Sequence, residues 1–275
     1  MTAVQSNLRP HPAIGSTPAS EGDRRAEQQH VALRRGITVT VRLVPHPASF
    51  PTDPPPDPDS AWSIAAHDWH AFDQVTTMID HWDRPNWDPE MRAIYWLLTF
   101  SSPLLVDHAQ QCQSVIRHLG LDEIDRESLH LTLGRIGLAD ALPRSQLRRL
   151  AAAVRRQRLP HGFPLSAIPM AASRGAVRYS VAPWTPVLAL HAQLARASNT
   201  VELPPMSSSG YLRPHLGIAY CNRSLPASEV RAAIEPLRLL PPVPLFVDRV
   251  QMVEMWRTDA AYHWQIVEEI LLTAA

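Results

Sequence analysis

The chain contains no lysine: all 26 residues of its Lys+Arg total are arginine. A lysyl-adenylate, a Schiff base and a P-loop lysine all need a side-chain amine, so no reaction of this protein runs through one. Cysteine is scarce too. Cys112 and Cys221 are the only two, without metal-type spacing and too few for a disulfide framework, and both are expected to be reduced and partly buried. Neither sign of charge is in excess, with 26 basic against 26 acidic residues, which argues against a sequence-independent coat for nucleic acid. No run of eighteen apolar residues occurs, so no membrane span is expected. The N-terminus lacks the charged-then-apolar pattern of a secretory signal, and a soluble cytoplasmic protein is the expectation.

Proline is abundant instead, 27 residues, and much of it lies early in the chain. Residues 1–60 are read as a Pro-rich N-terminal segment, disordered over about the first 35 residues. The run from Pro51 to Asp59 excludes helix and central strand and is read as an extended linker. Between these, Ile37, Val39, Val41 and Leu43 alternate with polar residues and predict a short half-buried strand. Residues 61–92 hold an aromatic helix and a linker. The helix is expected over Ser63–Trp82, with Trp69, Phe72, Thr76, Ile79 and Trp82 on one face and Pro85 breaking it. His67 and His70 are three apart on that helix, but nothing nearby completes a ligand set, so no metal site is expected there.

Residues 93–275 carry the remaining pattern. Helices are predicted over 105–119, 144–158, 186–197 and 226–235, and strands over 163–171, 245–256 and 262–271, the last two joined as a hairpin. The arginines of 144–158 face outward and are read as a solvated face. Within this region two strand-like segments each carry one histidine: Leu129-His130-Leu131-Thr132-Leu133-Gly134 and Pro214-His215-Leu216-Gly217-Ile218-Ala219-Tyr220. Side chains alternate along a strand, so His130 and Thr132 share one face and Leu129, Leu131 and Leu133 the other. His215 and Gly217 likewise share a face opposite Leu216, Ile218 and Tyr220. By the same alternation Arg135 is placed opposite Thr132.

The surroundings repeat. An apolar run, a proline-marked break and a helical stretch precede each histidine strand: Tyr95–Phe100 ahead of His130, and Val177–Trp184 ahead of His215. This is the signature of an internal duplication of strand–helix–strand units. Two such units facing each other put both histidines on a shared cleft.

On these residues the chain, over Ala93–Ala275, resembles the 2H phosphoesterase superfamily, the 2′-5′ RNA ligase-like and cyclic phosphodiesterase proteins, whose signature is a pair of His-x-Thr/Ser-x motifs. His130-Leu131-Thr132-Leu133 matches fully. His215-Leu216-Gly217-Ile218 matches except that glycine stands where the family has Thr or Ser. The resemblance implies an α+β, bilobal, duplicated fold, two antiparallel sheets with outer helices around a central cleft. It also implies a phosphoesterase acting on 2′,3′-cyclic or 2′-5′ phosphodiesters, with RNA ends or small cyclic nucleotides as substrates, no cofactor, no metal and no obligatory protein partner.

The residues suit that chemistry. Hydrolysis of a cyclic phosphodiester needs a base for the attacking water and an acid for the leaving oxygen, and imidazole serves as either near neutral pH. Thr132 is placed to donate to a phosphoryl oxygen. Gly217 offers no such donor, so water, a backbone amide or Arg213, two residues before His215, is expected to compensate, and Tyr211 to stack on a base. The alternative expectation is a protein that retains the cleft and binds nucleotide or RNA without turnover, because of Gly217.

Overall fold

A computed structural model describes residues 40–83, 87–157 and 159–273. The expected disorder of residues 1–35, and part of the predicted strand at 37–43, lie outside the described residues. Residues 40–43 form no strand.

Two antiparallel sheets carry the fold. The first unit of the duplication is β2 (Ala93–Thr99), α2 (Pro103–Ile116) and β4 (His130–Leu138); the second is β6 (Ala176–Ala182), α4 (Thr185–Thr200) and β7 (His215–Tyr220). In each unit the two strands pair antiparallel, His130 opposite Thr99 and His215 opposite Ser180. The first sheet is completed by β10 (Arg249–Arg257) and β11 (Tyr262–Leu271), in the order β11-β10-β2-β4. The second is completed by β3 (Asp122–Glu123), β5 (Phe163–Ala172) and β9 (Val243–Val247), in the order β3-β7-β6-β5-β9. The predicted strand 245–256 is therefore two strands, β9 and β10, in different sheets. β4 and β7, the histidine strands, pack against each other where the sheets meet.

The helices cross over. The buried stripe of α2 (Leu105, Ala109, Cys112, Ile116) seats on the second sheet. There the Gln113 amide donates to the carbonyls of Ile124 and Ile218 at 2.8 and 2.9 Å, and His108 Nδ1 lies 2.7 Å from the Tyr179 hydroxyl. In return α4 lies against β4 and against α3 (Arg144–Arg156), which reaches β11. Each unit of the duplication thus covers the other unit's sheet, which locks the two halves into one core. A left-handed Gly120 (φ 62°) ends the short turn after α2, a conformation open to glycine without steric cost.

The N-terminal helix is shorter than its periodicity suggests. α1 spans Ala61–Asp73, capped by the Ser60 hydroxyl, and its buried stripe is Ile64, Asp68 and Phe72. Ile79, expected on the inward face, is 55% exposed. After α1 the chain pairs as β1 (Thr77–Met78) with β8 (Leu225–Pro226), just before α5 (Ala227–Ile234). Hydrophobic periodicity misses the stripe because its centre is a carboxylate, admitted to the core only by partners distant in sequence.

Residues 40–60 hold no helix or strand, as their proline content dictates. The run from Pro51 to Asp59, read as an extended linker, is tied to the body at its start. Arg213 donates five hydrogen bonds, from Nε to the carbonyl of Pro51, from one terminal nitrogen to Gly210 and Leu212, and from the other to Val44 and Thr52.

Candidate active site

The histidines are held alike. Nδ1 of His130 lies 2.8 Å from the carbonyl of Ser128, and Nδ1 of His215 lies 2.8 Å from the carbonyl of Arg213, each two residues upstream. A carbonyl only accepts, so Nδ1 carries the hydrogen in both rings, and proton exchange falls to Nε2. The duplication read in the sequence therefore extends to the hydrogen bond that orients each imidazole.

Strand register fixes which side chains accompany them. Leu133 and Ile136 are extra residues in β4, so Tyr95, Leu97 and Thr99 of β2 face Arg135, Thr132 and His130. Directly paired residues share a face, and a bulge resets the alternation. Arg135 therefore lies on the face of His130 and Thr132, and it is exposed, as Thr132 is. The expectation that it points the other way is corrected. In β7 the extra residue is Ile218. Ala176, Arg178 and Ser180 of β6 face Tyr220, Gly217 and His215, so Tyr220 joins the His215 face. None of the three bulges shows in the local sequence.

His130 sits in an aromatic setting. The ring of Trp264, from the far edge strand of its own curled sheet, meets it edge-on at 5.1 Å. Tyr262 and Tyr220 meet at 5.4 Å across the junction of the two sheets. A crevice beside His130 is lined by Ile124, Ser128, Tyr220, Tyr262 and Trp264. Burial lowers the His130 pKa below the ordinary histidine value, opposed by its bond to the Ser128 carbonyl, so the ring is neutral at pH 7. His215 is exposed.

Two expected substrate contacts are otherwise engaged. Arg213 is 5% exposed and spends its guanidinium on backbone carbonyls, so it is not the donor that Gly217 lacks. Its side chain serves the N-terminal segment, and its carbonyl serves His215. The ring of Tyr211 is stacked on His46, centroids 4.0 Å apart. A Cβ at Gly217 would stand 3.0 Å from Ile124 Cδ1, so a small side chain there requires the end of that flexible chain to give by a few tenths of an ångström. Among the described residues, no group of three or more His, Cys, Asp or Glu is placed to hold a metal. No described helix is long and apolar enough to cross a membrane.

Paired antiparallel sheets from a duplicated unit, with one histidine strand in each, define the class. The chain belongs to the 2′-5′ RNA ligase superfamily, whose family model matches residues 102–259. Among solved structures it is similar to TT0787 of Thermus thermophilus, with 16% identity over 66% of this chain and 98% of that one and a TM-score of 0.50. It is also similar to E. coli LigT complexed with NADP+, with 15% identity over 67% and 99% and a TM-score of 0.49. At such identity the likeness to TT0787 speaks for the fold. No curated protein matches the chain.

Proposed function

We propose that the protein is a phosphoesterase that opens 2′,3′-cyclic or 2′-5′ phosphodiesters of nucleotides or RNA ends by two-histidine acid–base chemistry. The observation that carries this reading is the matched pair His130 and His215, each on one of two packed strands and each with Nδ1 held by the carbonyl two residues before it. Water adds to phosphorus as the bond to the leaving ribose oxygen breaks. One imidazole takes the water's proton through Nε2, and the other gives a proton to the leaving oxygen. His130, neutral at pH 7, suits the base, and exposed His215 the acid. Thr132 and Arg135 supply donors to the phosphoryl oxygens. The mechanism asks for no amine nucleophile, in keeping with a chain that has no lysine.

The test is turnover of 2′,3′-cyclic nucleotides and 2′-5′-linked dinucleotides in the presence of chelator. Product formation at an undiminished rate is expected. Activity that vanishes with chelator would point to a metal-dependent reaction instead. Gly217 favours a second reading, a cleft that binds nucleotide without turnover. Gly217→Thr separates the two. The new Cβ needs only a few tenths of an ångström from Ile124, a cost of about 1 kcal/mol, and an added hydroxyl donor is worth up to about 10²-fold in rate. The variant is expected to raise kcat/KM at least about tenfold. Nucleotide binding with no product in either form would establish the second reading.

A further inference from the structure

The face of the second sheet that bears His215 is covered by the chain's own N-terminal segment. α1 lies across β5 and β6. Asp68, from its buried stripe, accepts the Ser180 hydroxyl at 2.5 Å and stands 3.7 Å from Arg178. Ser180 and Arg178 are the cross-strand partners of His215 and Gly217, so the helix sits directly beside the second motif. The Phe50 carbonyl accepts from Arg178 at 3.2 Å, and the Arg178 guanidinium lies over the Phe50 ring. At the far end His81 stacks on Tyr220 with centroids 4.1 Å apart, and the Trp82 indole donates to Asp122. Every one of these covering residues precedes residue 102, where the family match begins.

A bound nucleic-acid strand needs cations for its phosphates and aromatic faces for its bases. Arg178, Arg213, Tyr211 and Tyr220 are groups of that kind on or beside this face. All four are engaged by the N-terminal segment, in the manner a strand would engage them. A carboxylate and a row of carbonyl oxygens meet the two arginines, and the imidazoles of His46 and His81 stack on the two tyrosines. Both arginines are at least 95% buried. The face around His130 differs, with Thr132 and Arg135 exposed.

We propose that residues 40–82 are a built-in substrate-size filter: they occupy the track a nucleic-acid strand would follow past His215 and confine the site to a mononucleotide-sized 2′,3′-cyclic phosphodiester. This rests on the function proposed above. The filter acts through ground already filled, so it discriminates by length and not by base.

The experiment compares, in the intact protein, kcat/KM for a 2′,3′-cyclic mononucleotide with that for a ten-nucleotide RNA ending in the same cyclic phosphate. Equilibrium binding of both is followed by tryptophan fluorescence. The mononucleotide is expected to be turned over at least as efficiently as the 10-mer. Phe72→Ala removes the buried aromatic at the end of the α1 stripe. It should raise the 10-mer's kcat/KM relative to the mononucleotide's by tenfold or more, with faster amide exchange over residues 61–73. If that variant does not fold, the wild-type comparison decides alone. A 10-mer preferred tenfold or more by wild type overturns the filter and leaves the proposed function intact. Absence of turnover overturns the catalytic reading, and binding then decides the filter: tighter mononucleotide supports it, tighter 10-mer or no binding of either overturns it.

Discussion

Replacing either His130 or His215 with alanine is expected to lower kcat/KM on a 2′,3′-cyclic nucleotide by about 10²–10⁴ each, with little change in thermal stability. The magnitude follows from the work proposed for each ring. General acid or base assistance in the transition state is worth about 3–5 kcal/mol on that scale, and no described neighbour repeats the geometry of a strand imidazole with Nδ1 tied to a carbonyl. The small stability change follows from position. His215 is exposed at the start of β7 and His130 is only partly buried at the start of β4, so truncating either leaves no closed cavity. The double variant should be scarcely slower than the worse single one, because the two groups act on one transition state and their effects do not add. Steady-state kinetics on the three variants beside calorimetric melting provides the check. Loss of activity accompanied by loss of folding would assign these residues to structure, and a fall under threefold in either single variant would remove that histidine from the chemistry.

Acidification is expected to destabilise the fold well before its carboxylates titrate, and His191 is expected to account for about 2 kcal/mol of that loss between pH 6.5 and pH 5. His191 is 1% exposed on α4, with Nδ1 2.7 Å from the Ser209 hydroxyl. Burial pushes its pKa down to about 4. In the unfolded chain it titrates near 6.5. Above pH 6.5 both states hold it neutral and the native state keeps its full stability. Between 6.5 and 4 the unfolded state binds a proton that the native state refuses, so stability falls as pH falls, by about 1.4 kcal/mol per unit for one such histidine. Burial likewise lowers the pKa of His67, His108 and His130, and each adds a slope of the same sign below 6.5. Urea unfolding at pH 7, 6 and 5 measures the total. His191→Gln, which keeps a polar partner for Ser209 and cannot titrate, should flatten the curve by about 1 kcal/mol or more over that window. An unchanged slope would show that the histidine ionises in the folded state.

The pairing of the two histidines was legible in the sequence because it rests on local pattern. His-Leu-Thr-Leu and His-Leu-Gly-Ile are period-two segments, and the repeat of run, break and helix ahead of each one marks a duplication. That Leu131, Leu133, Leu216 and Ile218 are buried follows from the same alternation. The absence of lysine narrowed the chemistry without any structure. The shared i−2 carbonyl was not legible, since nothing in composition tells where a ring nitrogen will find an acceptor.

Other parts of the site were decided only by tertiary structure, each for a physical reason. Arg135 and Tyr220 change faces because single-residue bulges at Leu133, Ile136 and Ile218 reset the alternation, and a bulge is set by the partner strand. Arg213 reads as a surface cation near a motif, yet it becomes the buried clamp of residues 44–52, because the carbonyls of Val44, Pro51 and Thr52, far away in sequence, converge on it. Asp68 is a carboxylate at the centre of the buried stripe of α1, where apolar periodicity does not look for a core residue. Arg178 and Ser180, more than a hundred residues later, make it a core residue. The sequence by itself determined two duplicated units, two imidazoles and a chemistry without an amine. The tertiary structure decided which polar groups surround those imidazoles and that the chain's own N-terminal segment lies beside one of them, because such choices depend on long-range pairing that no local pattern encodes.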